Sequence, residues 1–171
     1  ATLPVAWRGR VTGPALAGIA ATETHVVVAD KDADLTTDIF RCFDARTGVA
    51  MWTYEYPAEE DLDYTNAPRA TPVIHEGLVY CQGAWGNLHC LRLATGEVVW
   101  ERHLADDFGA EPPTWGYCVP PLVVDDKLIV LPGAPQAGIA ALDRLTGDVL
   151  WQTPGHAAAY APLIVGTFGG K

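Results

Sequence analysis

Serine is absent from all 171 residues, and methionine occurs once. Without serine there is no nucleophile for a Ser-His-Asp hydrolase, so that reaction class is excluded. Basic residues are scarce, with 11 Lys and Arg against 21 Asp and Glu and a net charge of −10. Nucleic-acid phosphates demand a basic surface, so DNA and RNA are excluded as partners. The acidity itself reads as a solubility device. No apolar run approaches the roughly 20 residues of a membrane-spanning helix. Four cysteines are too few for a disulfide scaffold in a chain of this length. His25, His75, His89, His103 and His156 are scattered, and no metal-ligand spacing emerges. His89 adjoins Cys90, but neighbours on a strand point to opposite faces, so they form no catalytic pair.

What is present is punctuation and repetition. With 17 Gly, 13 Pro and 49% hydrophobic residues, the composition suits many short apolar strands rather than a helical bundle. One phrase is said three times: CFDARTGVAMW at 42–52, CLRLATGEVVW at 90–100 and ALDRLTGDVLW at 141–151. Each copy opens on a small residue, carries Thr-Gly in the middle and ends in Trp. The fixed residues are Thr47, Gly48 and Trp52, then Thr95, Gly96 and Trp100, then Ala141, Asp143, Thr146, Gly147 and Trp151. A period near fifty residues ending in a fixed Trp signals a β-propeller blade or another solenoid unit.

Each period reads as four antiparallel strands. Expected strands are 16–21, 25–29, 39–44 and 49–54 in the first repeat, and 70–74, 78–82, 88–93 and 98–103 in the second. The third repeat gives 121–124, 127–131, 138–143 and 148–152. Val26-Val27-Val28 and Leu128-Ile129-Val130-Leu131 are apolar on both faces, as strands are when sheets stack on either side. The expected blades are about 14–55, 69–104 and 118–154. Residues 160–171 read as the start of a further blade, and Val5–Arg8 as the outermost strand of a preceding one. Closed propellers have about 4–8 blades, so the fold class is all-β and the chain reads as part of a 6–8-bladed propeller. The alternative is completion by another copy of the chain. The opening Ala1 reads as the mark of a processed chain or an excised piece.

The phrase, written A-x-D-x-x-T-G-x-x-x-W, resembles the repeat of the PQQ-like (quinoprotein-type) β-propellers, and nearly the whole chain takes part. The copy at 141–151 matches every specified position; Cys42, Cys90 and Arg92 depart from it. DYTNAPRATP and PPTWGYC look most like bacterial PQQ-like repeat proteins of planctomycete type. The resemblance implies that each Trp docks on the Gly turn of a neighbouring blade. It also implies an extracytoplasmic setting, periplasmic or secreted. Quinoprotein dehydrogenases of this fold bind PQQ and calcium, many with a vicinal cysteine pair that this chain lacks. Other members are scaffolds or sensor domains.

Turns between first and second strands are short, whereas the second-to-third loops and inter-blade connections (about 55–69 and 105–118) are long and share one face. Binding residues favour long loops on a rigid scaffold. Three candidates lie there. Asp30, Asp32, Asp34 and Asp38 have the oxygen spacing of a calcium loop, but Leu35 and Arg41 stand where such a loop needs Gly and Glu; a solvated acidic hairpin is the plainer reading. Asp63, Asn66 and Arg69 enter a first strand; Arg69 can grip a carboxylate or phosphate, or tie down its own loop. Trp85, Trp115 and Tyr117 can stack on a planar ligand or roof the core. Cys81 and Cys90 would face each other across a two-residue turn at Trp85-Gly86, near enough for a disulfide. Two functions follow. One is a non-catalytic binding or scaffold domain for protein or small-molecule partners, with no cofactor. The other is part of a PQQ- and calcium-dependent alcohol or sugar dehydrogenase, with Asp63, Arg69 and Trp115 to test.

Overall fold

The computed structural model describes residues 4–14 and 16–166. Twelve strands form three four-stranded antiparallel sheets, each in simple sequence order. The first sheet is β1 (Ala20–Ala21), β2 (His25–Lys31), β3 (Thr37–Asp44) and β4 (Ala50–Pro57). The second is β5 (Val73–His75), β6 (Leu78–Gln82), β7 (Asn87–Arg92) and β8 (Val98–His103). The third is β9 (Leu122–Val124), β10 (Lys127–Val130), β11 (Ile139–Asp143) and β12 (Val149–Thr153). This is an all-β propeller architecture of stacked meanders.

The repeated phrase is one structural device. Its first residue lies directly across the ladder from its last: Cys42 opposite Trp52, Cys90 opposite Trp100, Ala141 opposite Trp151. All three small residues are fully buried, which explains their size. A bulge follows at the same step in each copy, and the Thr-Gly turn closes with the Gly amide donating to the carbonyl four residues back. Gly48, Gly96 and Gly147 have φ of 72°, 76° and 78°, a left-handed geometry that glycine adopts without strain. The Asp of the phrase completes the turn. Asp44 Oδ1 accepts from the amides of Arg46 and Thr47 (3.0 and 2.8 Å), and Asp143 Oδ1 from those of Leu145 and Thr146 (2.8 and 3.0 Å).

Each turn carries the indole of the preceding repeat. A Cβ placed on Gly48 would sit 2.6 Å from Trp7, one on Gly96 2.8 Å from Trp52, and one on Gly147 2.8 Å from Trp100. Each indole N–H donates to the fourth carbonyl of the phrase it covers: Trp7 to Ala45 (2.8 Å), Trp52 to Leu93 (2.7 Å), Trp100 to Arg144 (3.1 Å). A flat ring on bare backbone, plus one hydrogen bond, makes a contact that repeats.

Two cores result. Val27, Phe40, Cys42 and Trp52 of the first sheet pack on Val79, Cys81 and Leu91 of the second. Tyr80, Leu88, Cys90 and Trp100 pack on Leu128, Val130, Ala140 and Leu142 of the third. The second sheet is thus buried on both faces, as its apolar runs require.

Four expectations need correction. Val5–Arg8 forms no strand, although Trp7 still occupies the seat on Gly48. Residues 161–166 form none either, and 167–171 lie outside the described residues. Neither end has a neighbouring ladder to pair with. A short helix, α1 (Leu104–Phe108), opens the connection expected to be loop; His103 caps its start and Gly109, at φ 63°, its end. The β6–β7 turn spans three residues, Ala84–Gly86, not two, and the Gly83 amide closes it by donating to the Asn87 carbonyl. Cys81 therefore faces His89 and Tyr80 faces Cys90, which sends the two cysteines to opposite faces; all four thiols are free.

Candidate functional site

The ends of the strands next to the long loops gather nearly all the buried polar side chains. Asp30, Lys31, Asp38, Asn66, Gln82 and His89 are the buried polar or charged residues among those described. Lys31 Nζ donates to Asp38 Oδ1 at 2.8 Å and to the Ala58 carbonyl at 2.6 Å, and Tyr56 Oη donates to Asp38 Oδ2 at 2.8 Å. Burial pushes the Asp38 carboxyl up, against the pull of Lys31.

These bonds dispose of the acidic hairpin as a metal loop. Asp30 accepts from the amides of Thr12, Gly13 and Lys31 and pairs with Arg41 Nε at 2.9 Å. Asp32 accepts from the amides of Thr36 and Thr37 at 2.7 and 2.8 Å and so closes the hairpin turn. Asp38 belongs to Lys31 and Tyr56, and Asp34 is exposed. Asp30 ties down the segment that leads from Trp7, whereas Asp38 turns inward towards the second sheet. Among the described residues no group of three or more His, Cys, Asp or Glu converges as a cation site. The donor set here does not fit a calcium ion.

The segment after β4 holds the stronger candidate. Asn66 is buried, and its amide donates to the carbonyls of Leu35 (2.8 Å) and Ala58 (3.1 Å). Arg69 Nη2 donates to the Thr65 carbonyl at 2.6 Å, and Thr65 is held at φ 88°, a strained value for a β-branched residue. Thr65 Oγ1, Asn66 Oδ1 and Arg69 Nη1 are buried with no hydrogen-bond partner among the described residues. Three such atoms fall within five residues of sequence, a polar stretch (the nest) just ahead of β5, and β5 lies beside β1, where the Gly18 amide donates to Thr71 Oγ1 at 3.0 Å. Asp63 of the same segment is exposed and forms an isolated backbone bridge with Thr65.

The aromatic candidates divide. Tyr117 is core: it is buried, donates to the Pro132 carbonyl at 2.9 Å and roofs Gly86. Trp85 is half-buried and donates to the Glu60 carbonyl at 3.1 Å, pinning the segment that carries Asn66. Trp115 is 53% exposed and pairs with Tyr160 at 5.1 Å between ring centroids. The loops at 60–62, 84–86 and 115–117 touch through Leu62, Ala84 and Gly116.

Sequence reasoning missed His89. It is buried in the second sheet, accepts or donates at Nδ1 with Tyr54 Oη (2.9 Å), and meets the Tyr56 ring at 4.4 Å. Burial lowers its pKa to about 4, so it is neutral in neutral water. The signal was the alternation of Trp52, Tyr54 and Tyr56, which puts both tyrosines on the face that meets the second sheet. Burial also raises the pKa of every thiol, Cys42 to about 11 and Cys90 to about 12, so none is a thiolate nucleophile.

Against known proteins, a family model described as "Outer membrane protein assembly factor BamB", a PQQ-repeat model, matches residues 4–167. The chain is 28% identical over 148 residues to the quinoprotein ethanol dehydrogenase of Pseudomonas aeruginosa, covering 77% of this chain and 23% of that one. It therefore spans about a quarter of the length of the curated relatives it matches. Among solved structures, BamB from Moraxella catarrhalis superposes with a TM-score of 0.63 at 21% identity, over 87% of this chain and 39% of that one. The quinohemoprotein alcohol dehydrogenase from Comamonas testosteroni gives 0.58 at 23%, over 82% and 21%. These two likenesses are of fold. No helix among the described residues is long and apolar enough to cross a membrane.

Proposed function

We propose a function for this chain from one premise: it belongs to the PQQ-repeat family described as outer membrane protein assembly factor BamB. The proposal is a non-catalytic propeller segment that acts as a binding or scaffold domain, in an extracytoplasmic setting. Its binding group is the nest of Thr65, Asn66 and Arg69 at the long-loop end of the inner strands. The remaining blades of a longer protein complete the ring.

One observation carries this reading. Arg69 Nη1, Asn66 Oδ1 and Thr65 Oγ1 are all buried and unpartnered among the described residues, within five residues of one segment that Trp85 and the Lys31–Ala58 bond hold. A guanidinium with one edge anchored and one donor free suits a carboxylate, and the hydroxyl and amide oxygen of the same segment suit a hydroxyl or protonated partner. Cys118, which feels the charge of Arg69, has its thiol pushed up by burial and so is no nucleophile. The grip is therefore one of recognition. An acidic side chain of a protein partner, or a small carboxylate, fits it.

The second reading is the dehydrogenase, favoured by the quinoprotein relatives. PQQ is itself a tricarboxylate, and Arg69 can hold one of its carboxylates. When bound it supplies a two-electron acceptor; the donor set for its calcium would have to come from blades outside this segment.

A thermal-shift titration separates the two, using the longest chain that contains this segment. PQQ with calcium, PQQ alone and succinate are the ligands, on the native protein and Arg69→Gln. Stabilisation by succinate or PQQ without calcium, lost in Arg69→Gln, is the expected result. A rise that needs calcium and PQQ together would move the assignment to the dehydrogenase. No shift with any ligand would remove Arg69 as the binding group.

A further inference from the structure

The long-loop end of the first two sheets also encloses a groove of about 430 Å³, within the roughly 300–1,000 Å³ of small-ligand sites. It lies between the outer strands β4 and β8. Its walls include Tyr54 and Tyr56 from the first sheet, Asn87, His89 and Glu101 from the second, and Asp107 from α1. The nest and the groove share no residue.

The groove is built rather than incidental. His89 is 5% exposed, and its Nε2 has no hydrogen-bond partner among the described residues. The tyrosines are fixed in place: Tyr56 through Asp38 and Lys31, Tyr54 through His89. Glu101 is the cross-strand partner of His89 and lies 3.7 Å from it, with its side chain 69% exposed. Its carboxylate is free to accept further bonds. Arg102 is already engaged, by the Gly147 carbonyl at 2.8 Å and Asp107 at 3.4 Å.

That chemistry selects a ligand class. A neutral imidazole bonded at Nδ1 leaves Nε2 as a donor in one tautomer and an acceptor in the other, and a hydroxyl group satisfies both. Glu101 accepts from neighbouring hydroxyls, and Asn87 donates and accepts. Asp107 is paired with Arg102, and the exposed Glu101 carboxylate repels phosphates and carboxylates. The tyrosine rings offer an apolar wall to the C–H face of a ring-shaped polyol. We propose that this inter-sheet groove binds a neutral polyol of the saccharide class, with His89 and Glu101 as its hydrogen-bonding pair.

The test follows the imidazole of His89 by long-range ¹H–¹⁵N NMR while glucose, maltose or methylammonium chloride is titrated in. The expected result is a saturable shift of the His89 Nε2 signal with glucose or maltose. Glu101→Gln should weaken it about tenfold, the equivalent of one charge-assisted hydrogen bond. Because Glu101 is exposed, the variant should melt with the parent protein. Arg69→Gln should leave the response untouched, which keeps this site apart from the nest. A response to methylammonium alone would overturn the proposal in favour of a cation site. No response to either sugar, or one that Glu101→Gln leaves intact, would overturn it outright.

Discussion

Glycine at the seventh position of the phrase meets two demands at once, a left-handed φ and a ring lying on its face. Gly77 meets only the first: its φ is 79°, and an added Cβ would touch nothing within 4 Å. Comparing the two isolates the ring contact. Gly77→Ala should cost about 1 kcal/mol, the ordinary penalty for a Cβ in this region. Gly96→Ala should cost about 2–4 kcal/mol, because Trp52 must also be displaced; urea denaturation of both variants checks the difference. His89 adds a pH dependence whose sign is fixed. Its folded pKa of about 4 lies below the ordinary 6.5, because burial penalises the charged ring. Between those values the unfolded chain binds the proton and the folded one does not. Its contribution is therefore complete above pH 6.5 and is lost as the pH falls towards 4, amounting to roughly 3 kcal/mol. Denaturation of His89→Gln as a function of pH should show a shallower slope across that window.

Strands and turns were largely legible, because each carries its own local signal. Strand β6 and strand β8 run as expected, and the Thr-Gly turns fall where the phrase puts them. What escaped depends on partners at a distance. Residues 5–8 and 161–165 have strand-like composition but no ladder to join. The β6–β7 register rests on one residue of turn length, and nothing in the sequence showed that Ala84 would join Trp85 and Gly86 in the turn. The nest was visible as Asn66 and Arg69, whereas Thr65 was not, since its strained φ is imposed by packing. His89 was discounted for lack of a neighbour along its own strand; its neighbours come from the sheet beside it. The register has a chemical outcome. With Cys81 and Cys90 on opposite faces, mass spectrometry after iodoacetamide should find no disulfide. In the native protein only half-buried Cys118 should alkylate at a measurable rate; all four thiols should do so after denaturation.

Across the whole molecule, the two ends are unequal. Trp52 and Trp100 are 8% exposed beneath the next sheet's turn, while Trp151 is 41% exposed, and all of β12 faces solvent. Trp151→Ala should therefore change the stability of this segment by less than about 0.5 kcal/mol. Trp100→Ala should cost about 3–5 kcal/mol. In a longer chain with a further blade, the Trp151 variant should become as costly as the Trp100 one, as calorimetry of both lengths would show. At the other end Trp7 already sits on Gly48, so a second copy presents no vacant glycine at that turn for Trp151. That geometry disfavours head-to-tail chains of this segment. The pairing also has a direction. Each indole is synthesised about 40–50 residues before the glycine it covers, so every such contact links one repeat only to the next. As the chain leaves the ribosome, each blade can lock onto its predecessor as soon as its own turn emerges. The sequence distance spanned by these contacts stays constant however many blades follow, so only the contact that closes the ring should grow more remote as blades are added.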